Sequence, residues 1–256
     1  MSRPTILVTN DDGIDAKGIR TLIRIMRDYG DVITIAPETS QSGQSHAITM
    51  TTPLRLNKIT EEEGYSEYMV NGTPVDCVKI GGKVILSKKP DLLVSGINHG
   101  SNAAINVIYS GTMAAVIEAN IDGIPAIGFS LTDYSSDADF TGSEPYIRKI
   151  VEEVLANGLP TGVCLNVNIP DVADNKIRGI KVCRQGKGYW EEFFDARIDP
   201  RKMGYYWMTG EYHSLENGDE SDEWALKNDY VSVVPIQYDL TAYKAIEQIS
   251  NWKLNE

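Results

Sequence analysis

Asp11 and Asp12 are neighbouring acids followed by a glycine, at the end of the apolar run Ile6-Leu7-Val8. Two carboxylates held side by side repel, so one takes up a proton or a cation settles between them. No His or Cys stands beside them. Oxygen donors alone favour a hard divalent ion such as Mg²⁺, Mn²⁺ or Ca²⁺ over zinc. Ser42 and Asn98 offer neutral oxygens to complete such a shell. Asp-Asp-Gly is also an ordinary turn sequence, and residue type by itself leaves both readings open.

Ser42-Gly43 and Ser110-Gly111-Thr112 suit an anion. Glycine lets backbone approach a ligand closely, and the second tripeptide sits where a helix begins, with free N–H groups and a favourable dipole. A plain Ser or Thr N-cap has the same sequence. A metal ion beside a phosphate cradle is what phosphoryl transfer to water requires. His46, His99 and His213 are scattered, with no ligand spacing among them. His99 falls in a polar loop, either as a proton donor to a leaving group or as a simple loop histidine. The chain contains no GxGxxG, no GxxxxGK[ST] and no GxSxG, so a dinucleotide fingerprint, a P-loop and a hydrolase elbow are unsupported. Tyr and Trp at 189, 190, 205, 206, 207 and 212 suit stacking on a base or, more commonly, packing in a core or interface.

These residues need elements to hold them. The β-rich run 5–10, helical spacing of Ile19, Leu22, Ile23, Ile25 and Met26, a stop at Gly30 and a second β-rich run over 32–37 make a βαβ unit. Residues 48–70 read as β-rich ribbon turning at Glu61–Gly64. Thr73-Pro74 starts a helix. Residues 91–97, 125–131 and 163–169 read as strands, and 113–119 and 145–157 as helices. Polar loops follow three strands directly, at Asp11–Gly13, Ser40–Ser45 and Asn98–Ser110. If those strands are parallel neighbours, the loops meet at one sheet edge, where α/β folds bind ligands. After residue 176 the pattern predicts antiparallel strands at Ile177–Cys183, Tyr205–Thr209 and Tyr230–Leu240, an acidic loop over Glu211–Glu223, and a last helix capped by Thr241 and ending at Ile249. The division is a Rossmann-like catalytic α/β domain over 1–175 and a β-rich extension over 176–256 belonging to the same structural unit.

The 256 residues are 42% hydrophobic, enough for a substantial core, and carry 36 acidic against 24 basic side chains, a net charge of −12. That acidity disfavours a nucleic-acid polymer as partner, because neutralising phosphates needs a basic surface. No run approaches the roughly 20 apolar residues that span a bilayer, and no signal-like apolar segment follows Met1. Three dispersed cysteines, Cys77, Cys164 and Cys183, fit a reducing, cytoplasmic setting.

Several segments together resemble the stationary-phase survival protein SurE family of nucleotidases. They are Ile6-Leu7-Val8-Thr9-Asn10-Asp11-Asp12-Gly13, Ala36-Pro37 with Gln41-Ser42-Gly43, Gly72-Thr73-Pro74-Val75-Asp76-Cys77, Ser95-Gly96-Ile97-Asn98-His99-Gly100, Tyr109-Ser110-Gly111-Thr112 and Thr241-Ala242. The resemblance covers nearly the whole chain. It implies a phosphomonoesterase releasing phosphate from nucleoside 5′- and 3′-monophosphates, and in some members acting on short polyphosphate. It implies one divalent ion per subunit on Asp11, Asp12, Ser42 and Asn98, with Asp11 catalytic. Phosphate would be held at Gly43, Asn102, Ser110, Gly111 and Thr112. It also implies a mostly parallel three-layer fold with a C-terminal arm swapped between subunits of a homodimer or tetramer. The run Asn102-Ala103-Ala104-Ile105-Asn106-Val107 departs from the pattern, with Ala and Asn where the family has Gly and Asp. A non-catalytic metal and nucleotide sensor is the alternative that uses the same loops.

Overall fold

The computed structural model describes residues 3–216 and 218–254. The chain runs β1 (Thr5–Thr9), α1 (Lys17–Met26), β2 (Asp31–Pro37), β3 (Leu56–Glu62), β4 (Tyr65–Val70), α2 (Pro74–Ile80), β5 (Leu92–His99), α3 (Asn106–Tyr109), α4 (Gly111–Ile121), β6 (Ala126–Leu131), α5 (Glu144–Asn157), β7 (Cys164–Ile169), β8 (Gly179–Val182), β9 (Gly188–Ile198), β10 (Gly204–Ser214), α6 (Asp222–Lys227), β11 (Tyr230–Ile236) and α7 (Tyr243–Ser250). Nine strands form one sheet in the order β3-β4-β2-β1-β5-β6-β7-β11-β8. From β4 across to β7 every neighbouring pair is parallel.

Alternation along the central strands creates three layers. Ile6 and Val8 face one core, with Ile19 and Leu22 of α1, Phe129, and Val151 of α5. Leu7 and Leu93 face the other, with Cys77 of α2 and Met113 and Val116 of α4. A strand buried on both faces must be apolar at every position, and Leu92, Leu93 and Val94 are wholly buried. The helix starts follow local chemistry. Thr73 and Asp76 make a reciprocal capping box with Pro74 behind it, and the Ser110 hydroxyl accepts the Met113 N–H at 3.0 Å.

The parallel core agrees with the sequence pattern; of the expected 48–70 ribbon only the 56–70 hairpin is strand, β9 has no counterpart in that pattern, and three further details of the tail correct it. First, β8 is parallel to β11, not antiparallel. The long connection between them contains α6 and crosses over, and β11 inserts between β7 and β8, antiparallel only to β7. Second, the 211–223 segment is no loop throughout. Glu211–Ser214 finishes β10, and Ser221 caps α6, whose first turn holds Asp222 and Glu223, where acids suit the helix dipole. Third, Thr241 does not cap α7. Its N–H is taken by Asp239 Oδ1 at 2.9 Å, and Ala242 occupies the cap position.

β9 and β10, eleven residues each, pair only with one another. At about 3.4 Å per residue they form a ribbon roughly 35 Å long. Phe194 is opposite Met208 and Ala196 opposite Tyr206. One face therefore presents Phe194, Ile198, Tyr206 and Met208, which are 65%, 74%, 69% and 70% exposed. No helix among the described residues is long and apolar enough to cross a membrane.

One buried ion pair fastens α1 to β4. Arg20 donates to Glu67 Oε1 at 2.5 Å and Oε2 at 2.9 Å, and to the Ile14 carbonyl at 2.5 Å. Burial raises the Glu67 carboxyl, but Arg20 and the Tyr65 hydroxyl outweigh it and hold it below the ordinary glutamate value. That stabilisation is complete above the unfolded-state pKa and disappears as pH falls through the folded one. Removing Arg20 leaves a buried carboxylate unpaired, which solvent at the partly exposed guanidinium site screens to a cost of about 2 kcal/mol. Arg20→Met is expected to lower Tm at pH 7 and to lose much less against wild type near pH 4. Thermal unfolding at both pH values checks this; an equal deficit at both would contradict it.

Candidate active site

β1 lies between β2 and β5, parallel to both. The chain leaves β1 toward opposite sides of the sheet in its two halves, so a crevice opens beyond the carboxyl ends of β1 and β5. Asp11 and Asp12 follow β1, Asn98 lies in the last turn of β5, and the 38–45 loop follows β2. The register of β5 against β6 slips between Ser95 and Asn98, and a bulge of this kind re-aims the end of a strand.

The loops are tied together by backbone. Gln41 N–H donates to the Asp11 carbonyl at 2.7 Å, and Ile14 N–H to the Pro37 carbonyl at 2.9 Å. Ser45 N–H and hydroxyl donate to the Tyr109 and Ile108 carbonyls at 3.2 and 2.6 Å. Ser42 lies 3.5 Å from Asp12 Oδ1 and 3.0 Å from the Ser40 hydroxyl. Asn98 Nδ2 donates to the Gly100 carbonyl at 2.8 Å, which fixes the amide and leaves its oxygen for another partner. Thr112 Oγ1 donates to Asp11 Oδ1 at 2.5 Å. Ser42, Thr112 and Gly111 thus meet Asp11 and Asp12 directly, Ser110 caps the same helix start, and Asn98 lies at the end of β5 next to His99, whose N–H reaches Asp12. Gly43 lies on the exposed rim of the crevice in the left-handed region, with φ +76° and open space around it.

Asp11 is 3% exposed. Burial first, then the charge of Asp12, pushes its carboxyl up to about 6, against the opposing hydrogen bond from Thr112. Among the ion pairs of the described residues neither carboxylate has a Lys or Arg; Asp12 Oδ2 has only His99, with Nδ1 at 2.9 Å and the backbone N–H at 3.2 Å. A cation set between the two carboxylates would offset their charge. No three His, Cys, Asp or Glu side chains converge as a metal site among the described residues, so a cation here would rely on two carboxylates with neutral oxygens, a hard-ion donor set. Oxygens sharing one such ion sit about 3.0–3.5 Å apart, the separation found between Ser42 and Asp12. The donor set fits a divalent cation.

His99 packs its ring edgewise on Phe140 at 4.9 Å and orients Asp12, a part that its sequence position did not reveal. Asn102 is wired from below: its N–H donates to Asn168 Oδ1 at 2.7 Å, its Nδ2 to the Ser130 hydroxyl at 2.9 Å, and its carbonyl accepts from Asn166 Nδ2 at 2.9 Å. Asn166 and Asn168, both on one face of buried β7, were missed by the sequence reading. Two amides at alternate positions of an otherwise apolar strand were the available signal. Of the tail aromatics, Trp190 reaches this region, donating from Nε1 to Asn106 Oδ1 at 2.8 Å.

The family described as "Survival protein SurE" matches residues 6–192. The chain belongs to the SurE family. Among SurE relatives it is 56% identical over 257 residues to the "5'-nucleotidase SurE" of Flavobacterium psychrophilum, covering 100% of both chains. It is also 56% identical over 256 residues to the protein of that name from Christiangramia forsetii, covering 99% of this chain and 98% of the relative. Among solved structures, the SurE protein of Aquifex aeolicus superposes with a TM-score of 0.83 at 40% identity, covering 96% of this chain and 98% of that one.

The closest approach in the crevice lies where α4 begins. A Cβ on Gly111 would stand 2.7 Å from Asp11 Cβ and 3.0 Å from Oδ2. Gly111→Ala must therefore displace Asp11, and a displacement near 1 Å at a reacting centre costs roughly a hundredfold in rate. The expected outcome is that loss in phosphate release with Tm within a few degrees of wild type. Steady-state assays alongside thermal melts check it; wild-type turnover in a folded Gly111→Ala variant would refute the crowding.

Proposed function

We infer that this chain is a metal-dependent nucleotidase, a hydrolase that releases phosphate from nucleoside 5′-monophosphates. The observation that carries the reading is the gathering of Asp11, Asp12, Ser42 and Asn98 beyond β1 and β5, with the N-terminus of α4 opening on the same crevice. The SurE relatives named above bear the nucleotidase name over their full lengths. The sensor alternative has no observation in its favour.

In this reading Asp11, Asp12, Ser42 and Asn98 hold one ion per subunit, of the Mg²⁺, Mn²⁺ or Ca²⁺ kind. That ion supplies electrostatic polarisation of the phosphoryl group. The backbone N–H groups of Gly43 and Gly111, with the Ser110 hydroxyl, receive the phosphate oxygens; the Thr112 N–H is given to Asp11 and Asn102 to Asn168 and Ser130, so these two shape the cradle instead of lining it. Thr112 fixes one oxygen of Asp11, and the other orients the attacking water. Asp12 is held in place by His99. A cavity of about 480 Å³ beside Ser110, lined by Val107, Ile117, Ile121, Ile236 and Gln185, is of a size and apolarity suited to a nucleoside. Nucleoside 3′-monophosphates and short polyphosphate belong to the same proposal as further substrates.

Residues 1–175 form the catalytic part and 176–256 the assembling part, although β8 and β11 complete the main sheet. The bare apolar face of the ribbon supports exchange of this arm in a homodimer or tetramer, since so large an unpaired patch is costly in water. The three cysteines are free and buried, which supports a reducing compartment such as the cytoplasm.

With AMP or GMP and added Mg²⁺ or Mn²⁺, the protein is expected to release inorganic phosphate, and chelation of divalent ions to abolish it. Asp11→Asn keeps size and removes a charged ligand; phosphate release should fall at least about a thousandfold, several kcal/mol of lost charge stabilisation, with the fold unchanged. Near-normal activity of that variant at saturating metal would overturn the assignment, and tight nucleotide binding with no turnover by wild type would favour a sensor.

A further inference from the structure

Ala104 sits in the loop between β5 and α3 with φ +50°. The left-handed region disfavours any residue with a Cβ, and alanine has no side-chain hydrogen bond to compensate. The residue is nonetheless buried, at 1% exposure, and both of its backbone polar groups are held from the distant tail. Asp222 Oδ2 accepts its N–H at 2.9 Å, and Gln185 Nε2 donates to its carbonyl at 2.9 Å. Asp222 is itself wholly buried. Its Oδ1 accepts from Gly186 at 2.7 Å and from Glu223 at 2.8 Å. The room for this carboxylate comes from Gly186, where a Cβ would stand 2.8 Å from Oδ1. Two residues beyond Ala104, Asn106 accepts from Trp190 at the root of the ribbon. Two residues before it, Asn102 is bonded to Ser130 and Asn168 on the floor of the sheet.

We propose that Asp222, assisted by Gln185, is a positioning residue for the reaction: it locks Ala104 in the left-handed conformation and so sets the shape of the Asn102–Ser110 segment that receives the phosphate. The tail thereby fixes the geometry of a loop some 80–120 residues away in sequence, at a point where a glycine would have taken the same turn without help. The inference rests on the nucleotidase reading for what the loop does, and on the hydrogen bonds for what holds it.

In Asp222→Asn, with Oδ1 still accepting from Gly186 and Glu223, an amide NH₂ replaces the oxygen that faced the Ala104 N–H. Donor then meets donor, and the loop loses its clamp. With AMP and Mn²⁺, KM is expected to rise about tenfold, the size of one left-handed residue left unsupported, and kcat to change less. Ala104→Gly placed in the same chain removes the strain and is expected to recover at least about threefold of that loss, a coupling that independent structural defects would not show. Amide hydrogen exchange reads the clamp without turnover: peptides covering 101–110 should lose protection in Asp222→Asn while those of β1 and β6 keep theirs. Gln185→Ala, a milder cut at the Ala104 carbonyl, should produce the same local loss if Asp222→Asn fails to fold. Unchanged KM with unchanged exchange in the folded variant would overturn the proposal, as would effects of the two substitutions that simply multiply. If the wild type released no phosphate at all, the nucleotidase reading would fall, and exchange alone would still decide whether Asp222 holds the loop.

Discussion

Asp11 and Asp12 put two negative charges at the end of a buried strand, and among the ion pairs of the described residues neither has a lysine or arginine; only His99 stands against Asp12. Burial makes each charge more expensive, and proximity makes the pair more expensive still. Much of the surrounding structure can be understood as what is needed to hold that unfavourable arrangement in place. Thr112 pins one carboxylate, His99 the other, and Asn10 Nδ2 closes the turn on the Gly13 carbonyl at 2.9 Å. The energy to keep the acids together comes from β1, whose Ile6, Leu7 and Val8 are buried on both faces of the sheet. A rigid, apolar scaffold maintains a polar site that by itself would fly apart, and in the proposed reading a divalent cation would relieve the repulsion that remains.

The sheet order converts that local strain into a site. Because β1 has parallel partners on both sides, the loops after β1, β2 and β5 emerge on the same edge. The backbone bonds from Gln41 and Ser45 then tie the second loop to the first and third. Beneath the third loop, Asn166, Asn168 and Ser130 form a buried amide and hydroxyl network with Asn102. Such a network is rigid when its donors and acceptors are paired, so Asn102 is placed by the sheet floor as well as by its own loop.

Much of this was legible in the chain. The βαβ opening, the Thr73-Pro74 helix start and the Ser110 cap all follow from short-range preferences that tertiary contacts did not override. The carboxylate pair was legible too, because adjacency in sequence guarantees adjacency in space. The tail was less so. Its strands have mixed pairing, and a run of acids such as 211–223 has the same composition in a solvated loop, a ribbon edge or a helix N-terminus. Only the ladder with Gly188–Glu191 and the cap at Ser221 divide it.

What the sequence determined by itself is therefore the set of groups able to do the chemistry and the local elements that carry them, since both depend on residues a few positions apart. What only the tertiary structure decided is which distant groups act on one another. His99 turns to Asp12 across 87 positions, Asn168 reaches Asn102 across 66, and Asp222 reaches Ala104 across 118. The physical reason is that a hydrogen bond is made within about 3 Å, and no pattern in a linear chain measures distance between residues that only the packing of a sheet brings together.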